Sequence, residues 1–243
     1  MQNRRLDRLN TNIREISIEP HFSEHAEGSC LVKFGKTHVI CTASVDEKTP
    51  AFLRNTKKGW ITAEYGMLPR STHSRMDREA SRGKQSGRTM EIQRLIGRSL
   101  RAITNLTELK EKQIKLDCDV IKADGGTRTA SISGAWVALF LACEYLLKKG
   151  DISSMPIKEQ VAAISCGIID NNVLLDLDYQ EDSRADTDAN FVLTSNGGII
   201  EVQSTAEKKP FKNEQLIEMI NLATKGCEQI FPIQKKALEI IKY

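Results

Sequence analysis

The longest unbroken apolar run in the chain, AWVALFLAC from Ala135 to Cys143, lies inside a helix-like segment over about residues 129–147 that has almost no polar face. A helix that is apolar all round has to be covered on several sides, so the chain must build layers around it. The run is far shorter than the roughly 20 residues that cross a bilayer, and the N-terminal MQNRRLDRLN lacks the apolar stretch of a signal peptide. A membrane-bound or secreted protein is therefore not expected. With 243 residues, 40% of them apolar, the chain can build one domain, or two small ones, whose core needs neither disulfides nor metal.

Alternating, β-rich stretches over 29–34, 37–45 and 60–65, and the series Ile114, Leu116, Cys118, Val120, predict strands ahead of the buried helix. Four more are predicted after it, over 161–169, 173–178, 189–194 and 199–203, with turns at Asn171-Asn172 and Asn196-Gly197-Gly198. In residues 88–103, Ile92, Leu95, Ile96, Leu100 and Ile103 recur at helical spacing and predict one buried face, with Arg94, Arg98 and Arg101 on another. Gly97 in that helix costs about 1 kcal/mol relative to Ala, so a close approach to another backbone is expected there. Two helices, over 214–229 and 234–241, are predicted to end the chain. Strands in groups with helices between them, without regular alternation, predict an α+β fold of mixed sheets packed with helices. No linker divides it, so residues 1–243 are read as a single domain.

Six cysteines, at 30, 41, 118, 143, 166 and 227, never form C-x-x-C and sit mostly in apolar runs. They predict reduced, buried thiols in a cytoplasmic protein rather than a zinc ribbon or a disulfide framework. His21 and His25 are four apart but lack the H-E-x-x-H pattern and read as surface histidines.

The formal charge of +3 hides a segregation. Residues 54–101 carry 12 bases against 4 acids, whereas residues 170–188 carry seven acids against Arg184 alone. Clustered Arg and Lys favour phosphate backbones, which makes nucleic acid the leading partner class; a solvated charged surface is the alternative.

Three segments carry chemistry. ADGGTRTASISGA puts two glycines, Thr127 and Arg128 between a strand and the buried helix, a setting for an anion at unpaired helix-start amides or, alternatively, a tight turn capped by Thr. GKQSGRTMEIQ places Arg88 at a second helix start, where it is either a second arm for the same anion or an ordinary surface arginine. LLDLDYQEDSRADTDAN holds Asp182 and Asp188 six residues apart, hard oxygen ligands that suit magnesium, or else a solvated acidic turn. Neither a P-loop nor a Rossmann glycine pattern is present.

Together with GWITAEYGMLPRSTHSRMDREASRGKQSGRTMEIQRLIGRSLRA, DCDVIKADGGTRTASISGAWVAL and IIEVQSTAEKKPF, that acidic stretch resembles the bacterial ribonuclease PH family of phosphate-dependent tRNA nucleotidyltransferases over nearly the whole chain. The resemblance implies a duplicated α+β core like that of polynucleotide phosphorylase and the exosome ring, assembled as a hexameric trimer of dimers. It implies phosphate binding by Arg88, Gly126, Thr127 and Arg128, a catalytic and Mg2+-binding pair at Asp182 and Asp188, and tRNA contacts from Arg70, Arg75 and Arg78. The implied reaction is 3′-to-5′ phosphorolysis of tRNA precursors and other stable RNA with inorganic phosphate, reversible as 3′ nucleotide addition. A magnesium-dependent hydrolytic nuclease and a catalytically silent RNA-binding ring subunit are the competitors. Departures from the family lie at the N-terminus, over 106–113 and at Lys208-Lys209.

Overall fold

A computed structural model describes residues 8–239. Most of the N-terminal stretch read for a signal peptide, and the predicted helix end at Ile241, lie outside them.

Five strands form the first sheet: β1 (Ile16–Pro20), β2 (Gly28–Phe34), β3 (Thr37–Asp46), β4 (Trp60–Met67) and β5 (Gln113–Lys122), in the order β1-β2-β3-β5-β4. Neighbours are antiparallel except β4, which runs parallel to β5. A parallel pair needs a long crossover, and α1 (Gly87–Ala102) supplies it by packing back on β4. β1 escaped the sequence reading because it is a short edge strand ending in Pro20, where a missing N–H costs no ladder bond.

The segment expected to be a buried helix is α2 (Thr127–Lys149), which packs on β2, β3 and β5 and also on β6 (Val161–Ile169) of the second sheet. By length and composition α2 alone among the described residues could cross a membrane, and it is mostly buried inside the protein. β6 is buried along its entire length, which is why VAAISCGII shows no alternation. With β7 (Asn172–Leu175), β8 (Thr187–Thr194) and β9 (Ile199–Ala206) it forms an antiparallel sheet ordered β7-β6-β8-β9, so only the first sheet is mixed. α3 (Tyr179–Asp182) is a single turn between β7 and β8. One cluster of buried side chains runs through both sheets, from Ile18 to Ala237.

The two helices predicted at the C-terminus are one, α4 (Asn213–Glu239), with Pro232 inside it. An interior proline costs a helix about 3 kcal/mol, and tertiary packing offsets it here. Gln234, fully buried just beyond the proline, donates to the carbonyls of Ser133 and Val161 and clamps the following turn onto the core.

Gly97 also differs from expectation. A methyl there would come within 2.8 Å of the Arg101 guanidinium, while the nearest foreign backbone atom, Ala63 N, is 3.7 Å away. Arg101 folds over Gly97, donates to the Ile61 carbonyl and lies 4.4 Å from the centre of the Trp60 ring. Arg98 pairs with Glu201. These two arginines of the basic tract are thus committed within the protein. All six cysteines are buried free thiols, and burial pushes Cys143 up to about 12, leaving it unreactive.

Candidate active site

The acidic stretch is sorted by its surroundings into structural and open carboxylates. Asp176, fully buried with φ of +54°, is gripped by Arg14 through Nε at 3.0 Å and Nη2 at 2.7 Å. It follows directly on β7, which ends at Leu175, three residues short of the predicted strand. Asp178 caps α3 and forms a reciprocal capping box with Glu181, which also bonds Arg8 at 3.1 Å. Asp186 pairs with Lys208 at 3.0 Å, so one of the two unusual lysines holds down part of the acidic tract. Asp182, at the end of α3, and Asp188, on β8, make no ion pair with any described residue.

Arg88 and Arg128 lie near enough to act on the charge of both carboxylates. Arg88 follows the Ser86 cap of α1, whose side chain accepts from Thr89 N at 3.2 Å. At the start of α2 the cap is Gly126 itself, in the left-handed conformation at φ +65°, rather than a threonine. Gly125, at φ +76°, is pressed against the next loop: a Cβ there would sit 2.6 Å from the Leu177 carbonyl oxygen. Two adjacent residues therefore need the freedom of glycine. Thr127 is buried, its hydroxyl 2.9 Å from the Tyr65 hydroxyl.

The electrostatics tie the four groups together. Burial and the neighbouring Asp182 push Asp188 up to about 6, against the pull of Arg128 and Arg88. Burial also raises Asp182, while Arg88 and Arg128 act to lower it. Two carboxylates, both raised by burial and one of them further by the other, would be relieved by a divalent cation, and Mg2+ commonly takes one or two carboxylates with water and phosphate oxygens completing its shell. Among the described residues no three His, Cys, Asp or Glu side chains converge as a cage, so the donor set fits that cation better than zinc.

Residues beyond those singled out in the sequence complete the site. Glu91 accepts from Arg128 Nη1 at 3.3 Å and from Gln203 Nε2 at 3.0 Å, while the Gln203 amide oxygen accepts from Arg128. This triangle joins α1, α2 and β9 and orients the Arg128 fork. Glu91 was legible as the residue one helical turn beyond Arg88; Gln203, distant in sequence, was not.

Arg70, Arg75 and Arg78 are all exposed on the loop between β4 and α1. Arg70 donates to the His73 carbonyl at 3.1 Å, and Arg75 and Arg82 both pair with Asp77. This loop contains a 3-10 turn, Glu79–Arg82. Between it and the end of β4 lies a cavity of about 620 Å³ whose lining includes Tyr65, Met76, Arg78 and Arg88, so the loop and the arginine of α1 border one space.

A sequence model of the 3′ exoribonuclease family, domain 1, matches residues 12–143, and that of domain 2 matches residues 159–226. A ribonuclease PH of Rhodospirillum rubrum is 58% identical over 95% of this chain and 96% of its own length. One of Mesorhizobium japonicum is 60% identical over 93% and 95%. Among solved structures, the Archaeoglobus fulgidus exosome with RNA bound to its active site superposes with a TM-score of 0.81 at 20% identity, covering 95% of this chain and 92% of that one. An archaeal exosome core gives 0.74 at 20% identity, with 95% and 89% covered. At that identity the exosome chains speak for the fold. The two curated relatives and both family matches go further: the chain belongs to the ribonuclease PH family of phosphorolytic 3′ exoribonucleases.

Proposed function

We propose that the chain trims the 3′ ends of tRNA precursors and other stable RNA, with the residues of the site in defined roles. Arg88, Arg128 and the amides around Gly126 and Thr127 bind inorganic phosphate as the attacking group. A phosphate oxygen attacks the terminal phosphodiester phosphorus, the bond to the 3′ oxygen of the preceding nucleotide breaks, and that oxygen takes up a proton. The products are a nucleoside diphosphate and an RNA one residue shorter with a free 3′ hydroxyl. The diphosphate keeps its energy-rich linkage, so the step runs backwards as nucleotide addition when diphosphate is abundant. Asp182 and Asp188 would hold Mg2+, which supplies Lewis-acid stabilisation of charge on phosphate oxygens.

One observation carries this reading: two helix starts bearing Arg88 and Arg128 act on the same pair of carboxylates. A hydrolytic nuclease needs an acid pair for its metal and water, but no second anion clamp. The test is a tailed RNA incubated with Mg2+, with and without phosphate. Nucleoside diphosphates formed only with phosphate support phosphorolysis; monophosphates support hydrolysis; no mononucleotide supports a silent ring subunit.

The same proposal takes residues 1–243 as one working domain, in keeping with the single core, and places it in the reducing cytoplasm, in keeping with six buried thiols. It takes the assembly to be a hexamer, a trimer of dimers, as the family resemblance implies. Arg70, Arg75 and Arg78 bind the body of a tRNA away from the cut. Replacing all three with Ala is expected to weaken tRNA binding and to flatten the slope of log affinity against log salt by about 0.9 per lost phosphate contact. Phosphorolysis of a short unstructured oligonucleotide should survive. Smaller particles on sizing, with both activities lost, would assign the loop to assembly instead.

A further inference from the structure

The carbonyls of the Asp124-Gly125 turn are held from behind by two side chains that no role above includes. Arg14, 6% exposed, donates through Nη1 to the Asp124 carbonyl at 2.6 Å and reaches the Gly125 carbonyl at 3.5 Å. Thr37, fully buried at the start of β3, donates its hydroxyl to the Gly125 carbonyl at 2.6 Å and accepts from Asp124 N at 2.9 Å. In a planar trans peptide the C=O and N–H point in opposite directions. Pinning these two carbonyls on Arg14 and Thr37 therefore turns the N–H groups of Gly125 and Gly126 the other way. Neither amide donates to any described residue. Neighbouring amides left unanswered are suited to an anion.

Arg14 also ties this turn to the carboxylate loop. Its fork closes on Asp176, and the chain from Asp176 runs through Leu177 and Asp178 to α3, which ends in Asp182. Its Nη2 comes within 2.9 Å of where a Cβ on Gly126 would lie. One buried side chain thus touches both the glycine turn and the segment leading to Asp182.

We infer that Arg14 and Thr37 are positioning residues that hold the Gly125 and Gly126 amides open toward the attacking phosphate, Arg14 at the same time fixing that turn against the loop carrying Asp182. The inference rests on the reading that this turn binds phosphate. Neither residue touches the reacting atoms; both act through the backbone they hold.

The test is steady-state phosphorolysis of a short RNA by Thr37→Val, with phosphate and RNA varied separately. Loss of both hydrogen bonds of the Thr37 hydroxyl is expected to raise KM for phosphate about three- to tenfold and leave KM for RNA unchanged. Thr37→Ser, which keeps the hydroxyl, should restore the wild-type value. Arg14→Lys keeps the charge but loses the fork, and should also raise KM for phosphate. It carries the test if Thr37→Val does not fold, and circular dichroism melting checks both. Arg128→Ala is the control for the underlying reading. If Arg128→Ala raises KM for phosphate while folded Thr37→Val or Arg14→Lys leaves it unchanged, the positioning role is overturned and the phosphate site stands. If the variants raise both KM values equally, or Thr37→Ser fails to rescue, the role is merely structural and the inference falls. If Arg128→Ala also has no effect, the phosphate assignment itself fails.

Discussion

Asp188→Asn is expected to stop turnover in both directions while making the protein more stable at neutral pH. The catalytic loss should be about 10²- to 10⁴-fold, since the change removes both a metal-holding oxygen charge and any proton transfer the carboxyl performs. RNA affinity should stay near the wild-type value, because no positive charge is lost. The stability effect follows from linkage. The folded carboxyl titrates at about 6, raised from 3.8 first by burial and then by Asp182. Well below 3.8 it is protonated in folded and unfolded chains alike and the variant should match wild type, and at pH 4 the difference is still small. As pH rises toward 6 the unfolded chain ionises first, and wild type loses stability that the asparagine variant keeps. Allowing for solvent screening, the gain above pH 7 is about 1–2 kcal/mol. Thermal melts at pH 4 and pH 8, in EDTA so that no metal offsets the repulsion, check it. Equal melting shifts at both pH values would remove the charge-crowding explanation, and a wild-type rate would remove Asp188 from catalysis. Asp182→Asn should share the catalytic loss.

Arg128→Ala should weaken the use of phosphate by about 1.5–3 kcal/mol, roughly ten- to hundredfold, with little change in RNA binding measured without phosphate. The structure gives a reason to expect a clean result. Glu91 and Gln203 remain bonded to each other at 3.0 Å once the arginine is gone, so no buried polar group is abandoned and folding should hold. Arg128→Lys keeps a charge but cannot make the forked contact, and an intermediate loss is expected. An unchanged dependence of rate on phosphate concentration would sink the assignment.

The parts of this protein that were legible in its sequence are those specified by local periodicity. The spacing of Ile92, Leu95, Ile96 and Leu100 announced α1, and the apolar run from Ala135 to Cys143 announced a helix needing cover on several sides. Arg88, Gly126, Thr127, Arg128, Asp182 and Asp188 were candidates from helix-start and paired-carboxylate patterns, each with a plainer alternative, and took their roles from the family resemblance. Where the reading erred, a distant contact outweighed a local rule. Pro232 should end a helix, but Gln234 reaches Ser133 and Val161 across the core and keeps α4 continuous. Lys208, noted as a departure, answers Asp186 from 22 residues away.

The sequence alone determined most of the strands and helices, β1 and the continuity of α4 excepted, and which side chains could bind anions or cations, because those properties depend on neighbours within a few residues. Only the tertiary structure decided which charges are available to a ligand. Seven acids between Asp170 and Asp188 look equivalent in a string, yet Asp176 is consumed by Arg14, Asp178 and Glu181 by capping α3, and Asp186 by Lys208. Likewise Arg98 and Arg101 are spent on Glu201 and Trp60, while Arg88 and Arg128 arrive from separate helices at one pair of carboxylates. A charge counts toward function when its partner is a ligand rather than another part of the chain, and pairing across more than a hundred residues is a property of packing, which no local pattern encodes.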